Sequence, residues 1–127
     1  MRWDVVGYES APLRTFGYVS TPTVPFSDRD LTDLLLSARR VNAQCGVTGK
    51  LIVLEDGDEA VRFAQFLEGP RAGLERVVGR VRADTRHHAL RVVTEGTAQD
   101  RRFPGWDMAF EPIGEAVFEA ASAELLG

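Results

Sequence analysis

The chain has 127 residues, 44% of them apolar and 27% charged, the balance expected of one globular domain with one core. A net charge of −4 argues against nucleic acid as the main partner, and no apolar run approaches the roughly 18 residues of a membrane span. The start, Met1-Arg2-Trp3-Asp4, lacks the apolar core of a secretory signal, and the single cysteine, Cys45, can form no internal disulfide; both point to the cytoplasm.

Residues 1–12 read as a short extension that Pro12 ends. A strand is predicted over Leu13–Ser20, then a loop through Thr21-Pro22-Thr23-Val24-Pro25. Ser27, with an acid at Asp30, has the pattern of a helix start. That helix keeps Leu31, Leu34, Leu35, Ala38, Val41 and Asn42 on one side, and Gly46 ends it. Two strands follow, about 47–55 and 61–68, around the acidic turn Asp56-Gly57-Asp58-Glu59.

Gly69-Pro70 opens a second helix with the stripe Leu74, Val77, Val78 and Val81, closed by Asp84-Thr85-Arg86. A fourth strand is predicted over 90–95, a polar loop over 96–102, a fifth strand over 105–111 and a last helix over 114–126. The order βαββαβ predicts an α+β, ferredoxin-like sandwich, extended by a fifth strand and a C-terminal helix. Its divisions are an extension (1–12), the domain proper (13–111) and the C-terminal helix (112–127).

Polar side chains are predicted where a core belongs. Period-two alternation puts Val61, Phe63, Gln65 and Leu67 on one face of the third strand, and Arg62, Ala64, Phe66 and Glu68 on the other. Asn42 continues an apolar helix stripe. Tyr18 shares a side with Phe16, and Trp106 shares one with Met108 and Phe110. Each of these has an ordinary explanation as a satisfied core residue. Two buried carboxamides nevertheless ask for partners, since leaving one unpaired costs roughly 1–3 kcal/mol. Together with the phenol they suit a flat polar heterocycle held between the two helices. Arg80, Arg82, Arg86 and Arg91, with His87 and His88 among them, form a basic cluster. It reads as a solvated face or as a site for cofactor phosphates.

The stretches Tyr18-Val19-Ser20, Asn42-Ala43 before Val47-Thr48-Gly49, and Phe63-Ala64-Gln65-Phe66-Leu67-Glu68-Gly69 resemble the BLUF family of flavin-dependent blue-light sensors. So do Asp84-Thr85-Arg86-His87 and Arg101-Arg102-Phe103-Pro104-Gly105-Trp106-Asp107-Met108, and the likeness spans about 13–111. The resemblance implies FAD bound without a covalent link. Tyr18 would be the electron and proton donor to the excited flavin, and Asn42 would hold the pyrimidine edge of its ring. Gln65 would bridge the Tyr18 hydroxyl and the flavin N5/O4 edge, rearranging its hydrogen bonds after excitation. Trp106 and Met108 would respond to Gln65.

A reoriented amide exchanges a donor for an acceptor at the flavin O4, which accounts for a small red shift with no new covalent bond. Val41 departs from the family where many members carry a second polar residue, and the turn at 55–59 is longer and more acidic than usual; Lys50 stands in an otherwise apolar strand. The expected function is a photoreceptor without turnover, signalling to a separate protein partner, with self-association an expectation from the family. The alternative is a light-insensitive ligand-binding or interaction domain that has lost flavin. An acylphosphatase-like enzyme ranks last, because the loop Ser20–Pro25 has neither glycine nor a basic residue.

Overall fold

The structure is a computed structural model and describes residues 12–127; the first eleven residues of the expected extension lie outside the described residues. Strand β1 (Leu13–Pro22) leads to helix α1 (Asp28–Cys45), then to the hairpin β2 (Thr48–Asp56) and β3 (Glu59–Gly69). Helix α2 (Arg71–Ala83), β4 (His87–Ala98), β5 (Ala109–Ile113) and helix α3 (Glu115–Leu126) complete it. One sheet runs in the order β4-β1-β3-β2-β5, with β5 parallel to β2 and every other pair antiparallel. This is the βαββαβ sandwich with an added strand and helix that the sequence predicts.

Local chemistry accounts for the helix limits. Ser27 Oγ accepts the Asp30 amide, while the Asp30 carboxylate accepts the Ser27 amide, a reciprocal cap. Gly46 ends α1 in the left-handed region at φ 70°. Helices α1 and α2 cover one face of the sheet, over Phe16, Tyr18, Leu51, Val53, Phe63 and Leu67. Helix α3 covers the other, where Phe118, Leu125 and Leu126 meet Val19, Ile52, Ala64 and Phe66. At their near ends α1 and α2 approach so closely that a Cβ on Gly73 would collide with the Cys45 carbonyl oxygen.

Several expectations are corrected. β4 spans His87–Ala98 rather than 90–95, because register shifts against β1 between Gly17 and Tyr18 and between Val19 and Thr21 break its alternation. The turn expected to be long is tight: Asp56 pairs with Glu59 and Gly57 takes φ 64°. β5 starts at Ala109, not at residue 105, because Gly105 at φ 82° and the Trp106 amide bonded to the Phe103 carbonyl turn the chain first. Lys50, unexplained by the sequence, pairs with Glu111 at 2.7 Å across the β2–β5 edge.

Candidate functional site

Sheet register builds the centre of the site. Tyr18 on β1 and Leu51 on β2 both lie directly opposite Gln65 on β3, so the phenol and the carboxamide start as cross-strand neighbours. The Tyr18 hydroxyl donates to Gln65 Oε1, and Gln65 Nε2 donates to Met108 Sδ at 3.3 Å. All three side chains are buried and line a cleft between the sheet and the two helices. Leu34, Leu35, Ala38 and Val41 form its α1 wall; Val77 and Val81 form its α2 wall.

Asn42 is also buried in this wall, and its Nδ2 donates to the Asp107 carbonyl at 2.7 Å. The family-derived expectation gives Asn42 a ring edge to hold; the structure shows its amide also gripping the segment that leads to Met108. Trp106 departs from expectation. It is 58% exposed, whereas Met108 is 1% exposed. The turn before β5 breaks the alternation on which a shared side depended, so only Met108 reaches Gln65, with half-buried Phe110 packed against the same core.

The far end of the cleft is charged. Arg80, Asp84, Arg86 and His87 line it. Asp84 accepts both the Arg86 amide, at 2.9 Å, and the Arg86 guanidinium, at 2.6–3.1 Å. Hydrogen bonds from the Arg86 side chain hold the Asp84 carboxyl below its usual range against the opposing effect of burial, and Asp84 in turn raises Arg86. Burial, reinforced by the Asp84 charge, pushes the Tyr18 phenol well above its ordinary value, so the hydroxyl keeps its proton and donates.

The extra residue of the second bulge brings His87, rather than His88, to the cleft side. His87 Nε2 lies 2.7 Å from the Val81 carbonyl, so in the neutral ring it carries the proton. Nδ1 then accepts from the Ser20 hydroxyl at 2.7 Å.

Two contributors escaped the sequence reading. Arg39, on α1, donates through Nε and a terminal nitrogen to the Met108 carbonyl at 3.1 and 3.0 Å. Glu68, fully buried at the end of β3, accepts the amides of Arg102 and Phe103, each at 2.8 Å, and the Thr48 hydroxyl at 2.9 Å. A carboxylate directly after Phe66 and Leu67, at the end of β3, was the available signal for Glu68. Nothing in the sequence marked Arg39.

A phenol, a carboxamide and a thioether thus stand beside an apolar slot, with Arg80, the Asp84–Arg86 pair and His87 at its far end. Residues 13–109 match the family described as BLUF, sensors of blue-light using FAD, and the chain belongs to that family. It is a blue-light flavin sensor domain.

Among curated proteins it is 34% identical over 92 residues to the photoactivated adenylate cyclase subunit beta of Euglena longa, covering 72% of this chain and 10% of that protein. It is 32% identical over 114 residues to the subunit beta-like protein FB of Euglena gracilis, covering 90% of this chain and 12% of that one. The chain thus spans about a tenth of the length of these relatives. Among solved structures it resembles the dark state of the BLUF protein BlrB, with a TM-score of 0.73 and 25% identity, over 91% of this chain and 83% of that one. Klebsiella pneumoniae BlrP1 with FMN and cyclic diGMP gives a TM-score of 0.69 and 28% identity, over 88% of this chain and 28% of that one.

Proposed function

We propose that the chain holds FAD non-covalently in the cleft between α1 and α2 and signals light by rearranging the hydrogen bonds of Gln65. The observation that carries this reading is the continuous line from the Tyr18 hydroxyl through the Gln65 amide to Met108 on the cleft wall. The residues present fit the cofactor. Aliphatic walls suit a flat ring, Asn42 and Gln65 offer edge hydrogen bonds, and Arg80 suits a phosphate. Arg80 enters no ion pair among the described residues, which supports its availability for an anion. Bound there, flavin supplies the absorption of blue light.

The chain's own contribution is the poise of one amide. Tyr18 donates to its oxygen end, whereas its nitrogen end meets only sulfur, a weak acceptor. Turning the amide would give the Tyr18 oxygen a donor and leave the Gln65 oxygen beside sulfur. Both orientations retain one good bond, the condition for a two-state element. Neither water nor turnover is required, which supports a sensor rather than an enzyme. Residues 13–111 form the sensing unit in this reading, α3 serves as its output element, and a separate protein receives the signal. A cytoplasmic setting is supported by the lone thiol of Cys45.

Flavin released by mild denaturation should run as FAD in chromatography, and FMN in its place would overturn the dinucleotide assignment. A protein that stays colourless after purification with excess flavin, and binds none by titration, would overturn the reading altogether. Tyr18→Phe should keep the flavin and abolish the reversible red shift. A normal shift in that variant would refute the assigned switch.

A further inference from the structure

We propose that Glu68 is a positioning residue for the switch, setting the seat of Met108 against Gln65, and that Arg102 carries that setting to the last turn of α3. The inference rests on the photoreceptor reading and deepens it by naming a route of regulation. Gln65 and Glu68 are three positions apart on β3, so they take opposite faces of the sheet. Gln65 addresses the cleft. Glu68 addresses the segment that returns to the cleft carrying Met108.

Its buried carboxylate accepts two consecutive amides, of Arg102 and Phe103, one on each oxygen. The Thr48 hydroxyl adds a third bond, and Arg101 donates to that hydroxyl at 2.8 Å and to the Gly46 carbonyl at 2.8 Å. Charge-assisted bonds to a fully desolvated carboxylate are strong and orient the loop backbone closely.

From Phe103 to Met108 the backbone has little freedom left. The Trp106 amide donates to the Phe103 carbonyl at 3.2 Å, and the Trp106 carbonyl accepts the Gly49 amide at 3.1 Å. Asn42 and Arg39 then hold the carbonyls of Asp107 and Met108. A shift of Met108 is therefore transmitted toward the Glu68 anchor instead of being absorbed within the loop.

Arg102 stands at that anchor. Its guanidinium lies 4.5 Å from the Phe66 ring centre and 5.5 Å from that of Phe103, and it donates to the Leu125 carbonyl at 2.8 Å. The last turn of α3 has no basic residue of its own, so Arg102 supplies the cation that its C-terminal carbonyls favour. The loop thus joins the cleft on one face to the helix on the other.

Glu68→Gln keeps the shape and removes one accepting oxygen. In flavin-loaded protein it should change the dark-recovery rate of the red shift by about fivefold or more, the effect of weakening one charge-assisted bond. It should also abolish the light-dependent difference in amide exchange over residues 122–127. Arg102→Lys keeps the charge but loses the planar fork and its stacking. It should leave recovery within about twofold and still abolish that difference, which isolates the relay and serves where Glu68→Gln does not fold. Unchanged recovery and exchange in both variants, beside a normal shift in the unmutated protein, would overturn the inference alone. No light-induced shift in the unmutated protein would overturn the photoreceptor reading and the inference with it.

Discussion

Met108 makes two kinds of contact, and one substitution removes both. Its side chain is buried in the main core, and its sulfur is the acceptor for Gln65 Nε2. Met108→Ala should lower stability by about 3 kcal/mol in denaturant unfolding, the usual result of truncating a packed methionine. It should also reduce the light-dependent change in α3, read by amide exchange of residues 105–126. Equal protection in light and dark in the unmutated protein would leave Met108 as core and nothing more.

Tyr18 gives a pH signature of its own. Its phenol is pushed above the unfolded value of about 10, so folding binds this proton more tightly than the unfolded chain does. The associated stability is complete below about pH 10 and is lost as pH rises from there toward the folded value. Tyr18→Phe should therefore lose less stability between about pH 9 and about pH 11 than the unmutated protein. Parallel alkaline denaturation curves for the two would show that the phenol does not govern this range.

The cleft exists because of how α1 and α2 are held at one end. Gly73 lets the start of α2 rest against the last residue of α1, and a methyl group there would meet backbone, which cannot rotate aside. Gly73→Ala should cost about 2 kcal/mol by overpacking and widen the cleft between the helices. Flavin retained through gel filtration at unmutated occupancy would show that cleft width does not set affinity.

Elements of this kind were legible in the sequence to the extent that local chemistry specified them. The Ser27–Asp30 cap, the α1 stripe and the positive-φ glycines fixed α1 and the β2–β3 hairpin, and period two placed Tyr18 and Gln65 on the cleft side. Bulges concealed the true length of β4, because each reverses the alternation being read. The start of β5 and the exposure of Trp106 follow from the turn at Gly105, which is held in place by bonds to Gly49 and Glu68, tens of residues away. Arg39 bonds across 69 positions, and no local pattern announces such a contact.

At the scale of the whole molecule the sheet separates two tasks. One face carries the cleft and the other carries α3, with β3 contributing to both through alternate residues. Helix α2 is basic, with Arg71, Arg76, Arg80 and Arg82 against Glu75, while α3 carries Glu115, Glu119 and Glu124 and no basic residue. Charge is therefore polarised between the helices on opposite faces of the sheet, although the net value is small.

The place of β5 at the edge of the sheet also bears on how the fold opens. β5 is five residues long and has β2 as its neighbour in the sheet, whereas β1 and β3 each pair on both edges. The β4-β1-β3-β2 part of the sheet sets Tyr18 beside Gln65 through the β1–β3 register alone, whereas Met108 comes from the segment that leads into β5. By this asymmetry β5 and α3 should open together while the other four strands stay paired. Native-state exchange in mild denaturant should find amides of β5 and α3 opening at lower free energy than those of β1 and β3. In the proposed switch, Met108 would then belong to the part of the fold that opens most readily.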